Sequence, residues 1–353
     1  MQPPICADSA ADSRSLADKV RFLSSAAAYG VPASPVEVRE THMAVLFFTG
    51  ELVFKLKKPV RYPFLDFSTV AAREQTCRAE VQLNQRLAPG VHVGVVPLRQ
   101  LADGRYALGH AVADQAPDSG AVVDWLVKMR RLPSEPMLDR LIALGALEPG
   151  QVDSLADLLM RFYRKADASP IEPAVYVGRF VAEQAINRDV LTHPLFGSSH
   201  MTSSQALERF DHALQQHRPL LLARAWDGRL VDGHGDLRPV HVCLVDPPVI
   251  IDCLEFNSAL RRLDPFDELA YLGLECAMAG APWVGPRLVQ RWAAAAGDQP
   301  PPELLCLYAG YRALLRARQC LVHLLEPASR APDQWFASAQ RYVHAALEAM
   351  AGL

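Results

Sequence analysis

The sequence predicts an α+β chain of two lobes: a small β-rich lobe over 15–132 and a larger helical lobe over 133–353, after a loose tail at 1–14. Three observations predict this division. Short runs of alternating apolar and polar residues crowd the region before residue 132, whereas three-four periodicity dominates after Pro133. Within the helical lobe a single stretch breaks the pattern, 233–257, reading GHGDLRPVHVCLVDPPVIIDCLEFN.

In chain order, residues 15–29 carry Leu16, Val20, Phe22 and Leu23 at helical spacing, and Gly30 and Pro32 end that helix. Strands follow at 36–39, 44–48 and 52–56, with Thr49-Gly50-Glu51 as the turn between the last two. In the third strand Leu52, Phe54 and Leu56 share one face, and Val53 and Lys55 the other. A lysine beside a small apolar residue on one strand face suits a nucleotide, whose base the apolar group covers and whose phosphates the ammonium reaches. Lys57 shares that face and Lys58 follows it, so both compete with Lys55; a solvated basic edge is the plainer reading of all three. Ser68 or Thr69 caps a helix running to about Ala88, where Pro89-Gly90 stops it. On that helix Cys77, Glu80, Leu83, Asn84 and Leu87 form one stripe, which turns Glu80 inward and makes Lys55 its natural counter-ion. Further strands are expected at 91–98, 106–113 and 122–129, and Met129 to Pro133 form the exit from this lobe.

Helices are then expected at about 136–147, 151–166, 173–191 and 203–217, and after the 233–257 stretch at 265–279, 286–296, 302–326 and 333–351. Asp264-Pro265 is the clearest start signal, an N-cap followed by proline at the first helical position. The 233–257 stretch itself reads as a loop, a strand at 240–245, a tight Asp246-Pro247-Pro248 turn and a strand at 249–251. It places Asp236 and Asp252 sixteen residues apart, both at loop ends and aimed into one cleft. Phosphoryl transfer needs such a pair, one carboxylate to orient a hydroxyl nucleophile and one to hold Mg²⁺ against nucleotide phosphates. Read singly, Asp236 would be a turn residue and Asp252 a strand-end cap.

Bulk properties narrow the classes. At 353 residues the chain can bury two cores, and the formal charge of −3 with interspersed signs excludes the basic stripe of a nucleic-acid binder. Seven cysteines without C-x-x-C spacing read as reduced, mostly buried thiols, Cys243 and Cys253 among them. No apolar run reaches membrane-spanning length and no signal-peptide core precedes residue 20, so a cytoplasmic protein without a membrane or nucleic-acid partner is expected.

His234-Gly235-Asp236-Leu237-Arg238-Pro239 resembles the catalytic loop of the aminoglycoside/choline phosphotransferase branch of the kinase-like fold, where His-Gly-Asp replaces the His-Arg-Asp of protein kinases. The surrounding segments, Glu40-Thr41-His42, Val53 to Val60, Phe64 to Ser68 and Ile251 to Asn257, are similar to a bacterial group of aminoglycoside phosphotransferase-like proteins, and the likeness extends over about 30–325. It implies a bilobal protein-kinase-like fold and a kinase that moves the γ-phosphoryl of Mg-ATP to a hydroxyl of a small molecule, of the sugar, amino sugar or amino alcohol class. Asp236 would be the catalytic base or the residue that orients the nucleophile, and Arg238 would meet the transferred phosphoryl. Lys55 would hold the α/β-phosphates and pair with Glu80, and Asp252 would hold Mg²⁺; Val53 and Met129 complete the cofactor-binding set. Glu255, Asn257, Asp264 and Asp267 would stiffen the metal loop or face the acceptor, and His234 would orient the loop by hydrogen bonds.

Two departures accompany the resemblance. The second metal ligand of the pattern is an Asn five residues after the base, and here that position is His241. Imidazole is a poor ligand for hard Mg²⁺, so His241 either binds metal weakly, favours Mn²⁺, or does not bind and is a structural hydrogen-bonding residue. No Gly-x-Gly-x-x-Gly covers the phosphates. Many members of the group also carry a C-terminal P-loop kinase module; no G-x-x-x-x-G-K-[ST] occurs here, which implies the kinase-like module standing alone, and a catalytically silent nucleotide-binding regulator is the alternative function.

Overall fold

Six of the alternating runs close into one antiparallel sheet. The computed structural model describes residues 10–30, 35–62, 64–109, 120–325 and 332–353, with side chains from 15 onward except at 198–200. It divides into two compact units: the described residues to Ser134 together with Val249–Asn257, and Glu135–Pro248 together with Ser258–Leu353.

In the first unit the strands are β1 (Glu37–Glu40), β2 (Ala44–Thr49), β3 (Leu52–Lys57), the short pair β4 (Arg61–Tyr62) and β5 (Leu65–Asp66), β6 (His92–Gln100), β7 (Tyr106–Leu108) and β8 (Ala121–Arg130). The sheet order is β1-β2-β3-β8-β6-β7. Phe54 and Leu56 of β3 enter a core with Leu23, Val45, Phe47, Val96, Leu98 and Leu126. Alternation therefore turns Val53, Lys55 and Lys57 to the opposite face, where helix α2 (Val70–Asn84) packs on β6 and β8. Thr69 caps α2, its hydroxyl accepting from the Ala72 amide at 3.1 Å. The helix ends four residues before the expected Ala88, although Leu87 and Ala88 continue inward and are buried.

The first helix, α1 (Ala10–Leu23), starts inside the expected tail and stops before residue 29; Ser25 opens a separate 3-10 turn, Ala26–Tyr29, closed by Gly30 at φ +63°. Lys19 of α1 donates to Asp124 at 2.9 Å, which Arg73 also grips at 2.8 and 3.0 Å, so a buried ion triad fastens α1 and α2 to β8. Pro32, residues 110–113 of the expected strand at 106–113, residues 1–9 of the tail and residue 326 lie outside the described residues.

The second unit contains α3 (Leu138–Ala143), α4 (Pro149–Lys165), α5 (Pro173–Leu191), α6 (His200–Trp226), α7 (Pro265–Ala279), α8 (Val284–Ala296), α9 (Pro302–Val322) and α10 (Pro332–Ala349). Its core draws on Phe180, Phe210, Phe266, Tyr308 and Leu314, from α5, α6, α7 and α9. The expected stop of α6 near residue 217 is overridden: the helix runs through Pro219, because Leu221 and Ala225 beyond it are buried and Arg224 pairs with Asp264. Asp264 caps α7 as expected, accepting from the Phe266 amide at 3.0 Å. The short strands here are β9 (Val231–Asp232), β10 (Val242–Cys243) and β12 (Arg262–Leu263); β9 and β12 pair. The expected strand at 240–245 shrinks to β10, because Pro239–His241 forms a 3-10 turn.

The sequence division assigned 233–257 whole to the helical lobe. Here β11 (Val249–Ile250) and the loop after it belong with the sheet-bearing unit. Backbone pairing explains this, since the Ile250 amide donates to Leu87 O at 3.1 Å and the Cys253 amide to Asn84 Oδ1 at 3.0 Å. No helix among the described residues is long and apolar enough to cross a membrane.

Candidate functional site

In the sheet-bearing unit the predicted residues meet. Lys55 Nζ donates to Glu80 Oε1 at 3.0 Å and to Asp252 Oδ1 at 2.9 Å. Asp252 has φ +64°, a left-handed backbone that aspartate tolerates but that costs energy, and such positions gather where geometry matters. Lys57 is not the solvated edge residue considered above. It is 1% exposed, donating to Glu80 Oε2 at 2.6 Å and to Glu255 Oε1 at 2.5 Å, with its ammonium 5.0 Å from the Phe67 ring centre. Lys58, by contrast, pairs with the exposed Glu40 at 2.6 Å. Val53 stands opposite Met129 in the ladder, and Met129 opposite His92. His92, which sequence reasoning missed, is buried with Nδ1 unpartnered, and burial lowers its pKa. Asn257 is half-buried.

Burial alone would push Glu80 up, but Lys55 and Lys57 hold its carboxyl down at about 2. Burial likewise opposes the charge on Lys55, yet Asp252 and Glu80 keep its ammonium well above the ordinary range. On Glu255 burial wins, and its pKa rises despite Lys57. The Glu80 shift gives stability a testable pH dependence. Its folded value lies below the ordinary 4.5, so the pairing stabilises the fold in full above about pH 4.5 and is lost as pH falls toward 2. Over that window wild type should lose on the order of 1–3 kcal/mol more stability than Glu80→Gln, measured by urea unfolding at stepped pH.

In the helical unit Asp236 lies on the loop after β9, which Glu268 of α7 organises. The fully buried Glu268 carboxylate accepts from the His234 amide at 3.0 Å, the Gly235 amide at 2.6 Å and the Tyr163 hydroxyl at 2.8 Å. Gly235 has φ +90°, which favours glycine, and a Cβ on Gly233 would sit 3.0 Å from Glu268 Oε2, a tight approach that the Glu268 side chain would have to yield to. Burial pushes the Glu268 pKa up, against the pull of these donors. His234 Nδ1 accepts from the Asp236 amide at 3.2 Å, a loop-orienting bond.

The Asp236 carboxylate accepts from Arg238 Nε at 3.1 Å through Oδ2 and from the Tyr271 hydroxyl at 3.3 Å through Oδ1. Burial and then the Asp236 charge drive the Tyr271 pKa well above its usual value, so Tyr271 is a donor here. His241 Nδ1 meets the Asp236 carbonyl oxygen at 2.8 Å, which requires its proton there, and Nε2 faces Arg238 Nη2 at 3.3 Å. Asp267 is buried in a fork to Arg312, both contacts 2.7 Å, and Arg312 lies 4.8 Å from the Tyr271 ring centre. Asp264 is bound by Arg224 and Tyr308. Among the described residues no group of three or more His, Cys, Asp or Glu side chains is arranged to hold a metal ion. Cys243 and Cys253 are buried thiols outside any disulfide.

These elements define the protein-kinase-like fold in the form carried by aminoglycoside phosphotransferases and choline kinases. A GDP complex of aminoglycoside 2'-phosphotransferase-IIIa matches with a TM-score of 0.54 at 15% identity, over 91% of this chain and 94% of that one. A ternary complex of aminoglycoside phosphotransferase APH(4)-Ia with AMP-PNP and hygromycin B matches at 0.52 and 13% identity, over 94% and 98%. Choline kinase from Cryptosporidium parvum matches at 0.51 and 10%, over 95% of each chain. No family model matches the sequence. Uncharacterised proteins of Mycobacterium tuberculosis and Mycobacterium bovis are 32% identical over 289 residues, 80% of this chain and 54% of theirs. The chain thus spans about half the length of the curated relatives it matches.

Proposed function

We propose that the protein is an ATP-dependent phosphotransferase that moves a γ-phosphoryl group to a hydroxyl of a small molecule, in the cytoplasm. The observation that carries this reading is the Lys55–Glu80–Asp252 triad, with Asp252 held at φ +64° beside the lysine. The fold supports it, as do the AMP-PNP and GDP found in two proteins that share that fold. Lys55, steadied by Glu80, would take the nucleotide phosphates, and Val53 and Met129 would flank the base. Asp252 fits Mg²⁺, being a hard oxygen donor whose side chain is 47% exposed. When bound, that ion would neutralise phosphate charge and polarise the transferred group. With no ready-made metal cluster among the described residues, ion binding would depend on oxygens the nucleotide brings.

Asp236 would accept the acceptor's hydroxyl proton, and Arg238 would face the transferred phosphoryl. Asp267 and Asp264, both buried in arginine pairs, would support the fold rather than touch an acceptor. His241 fits a metal poorly, since one nitrogen must carry a proton toward Asp236 O and the other faces a guanidinium. We read it as a residue that shapes the Asp236 loop, which leaves a single-metal site. The same observation favours a second reading, a nucleotide-binding regulator without transfer.

One experiment separates the readings. ATP binding is measured by calorimetry with Mg²⁺ or Mn²⁺, and phosphoryl transfer is screened over a panel of sugars, amino sugars and amino alcohols. The enzyme reading expects metal-dependent binding and transfer, with Asp252→Ala losing at least about tenfold in metal-nucleotide affinity, the equivalent of one lost charge-assisted contact. Binding without turnover on any acceptor would favour the regulator. No binding at all would end both.

A further inference from the structure

The pairing around Lys55 is part of a closed ring. Asp252 accepts from Lys55, Lys55 donates to one oxygen of Glu80, Lys57 donates to the other, and Lys57 also donates to Glu255. Two residues of backbone, Cys253 and Leu254, return from Glu255 to Asp252. The ring is unequal. The side chains of Lys55 and Asp252 are 16% and 47% exposed, whereas those of Lys57, Glu80 and Glu255 are 1%, 1% and 7%.

A buried ion pair is a weak device for stability, because apolar side chains of the same volume do as well; what it fixes is geometry. Two lysines on one strand face, at positions 55 and 57, share one glutamate, and each grips a different oxygen of it. Lys55 and Asp252 can therefore exchange each other for new partners while Glu80 keeps Lys57 and Glu255 keeps Lys57. Without Lys57, the departure of Lys55 would strand a buried carboxylate on α2 and leave Glu255 of the loop after Asp252 without its cation.

We propose that Lys57 is a positioning residue of the nucleotide site, holding Glu80 of α2 and Glu255 of the 252–257 loop together while Lys55 and Asp252 turn to the incoming metal-nucleotide. This rests on the nucleotide-site reading above. The divided ring assigns Lys55 to the ligand and Lys57 to the frame.

The test uses the full chain and Mn²⁺-ADP affinity by calorimetry, with Asp252→Asn as control. Lys57→Met leaves Glu255 buried alone and should lower the melting midpoint. The double variant Lys57→Met/Glu255→Gln removes both charges, should melt close to wild type, and should still bind Mn²⁺-ADP at least about tenfold more weakly. A purely structural role would move the midpoint and spare the affinity. If the double variant binds within about threefold of wild type while Asp252→Asn is impaired, the inference is wrong and the nucleotide site stands. Absence of Mn²⁺-ADP binding by wild type would remove both. A second measurement needs no variant in the ring. The chain has six lysines, so ¹⁵N-lysine ammonium signals can be followed in wild type, assigned through arginine substitutions at the other lysines. On adding diamagnetic Mg²⁺-ADP the Lys55 signal should shift and the Lys57 signal should stay, protected from exchange. Equal shifts of both would overturn the assignment.

Discussion

Asp236→Asn should lower phosphoryl turnover by about a hundred- to ten-thousand-fold, the range for loss of a positioned general base, while ADP affinity changes by no more than a few-fold. The substitution keeps the shape of the side chain and removes only its capacity to take a proton. The loop does not depend on the carboxylate. Its backbone is held by Glu268 through the amides of His234 and Gly235, and by His241 through the Asp236 carbonyl oxygen. An asparagine oxygen can still accept from Arg238, and the Tyr271 hydroxyl, now a donor, can turn to accept from the amide nitrogen. The variant should therefore fold with a near-native melting midpoint. Steady-state kinetics with whichever acceptor the panel identifies, beside calorimetric ADP binding, provide the check. Unchanged turnover in a folded variant would remove Asp236 from the chemistry and with it the reason to read the two aspartates as a pair.

The regions of this molecule that were legible beforehand are those fixed by local periodicity. Alternation along β3 put Lys55 and Val53 on one face, and three-four spacing turned Glu80 inward. Those two statements suffice to foresee the 3.0 Å contact between them. Asp264-Pro265 announced α7 to the residue because cap and proline act within one turn. Lys57 stays open in the sequence, between a competitor of Lys55 and a wet strand-end lysine; what buries it is a second acid, Glu255, supplied nearly two hundred residues later. A signal was present all the same. Two lysines on one strand face opposite a single inward glutamate leave one positive charge uncompensated, and Glu255 in the Asp252 loop was the available partner.

The misreadings share that origin in long-range contact. The loop at 249–257 joins the sheet-bearing unit through backbone bonds to Leu87 and Asn84 that no local pattern encodes. Helix α6 passes Pro219 because burial on its far side outweighs one missing hydrogen bond. His241 was undecidable from sequence, since metal ligand and hydrogen-bonding residue demand the same imidazole; only the partners at its two nitrogens discriminate. Glu268 was overlooked among three acids in close succession, Asp264, Asp267 and Glu268.

Glu268→Ala should then be the most damaging single change in the helical unit, costing about 3–5 kcal/mol of stability. The carboxylate is fully buried, and three donors converge on it: two backbone amides of the His234-Gly235 turn and the Tyr163 hydroxyl. Truncation removes the acceptor of all three, and each orphaned buried group costs about 1–3 kcal/mol, partly relieved by relaxation or an entering water. Glu268→Gln separates this from loss of charge. Its carbonyl oxygen can take the position of Oε1 and serve both amides, while the Tyr163 hydroxyl rotates to accept from the new amide nitrogen, so its cost should stay below about 1.5 kcal/mol. Urea denaturation of the three proteins at neutral pH measures the order directly. Equal losses for Ala and Gln would show that the negative charge, and not the three acceptor contacts, holds the Asp236 loop in place.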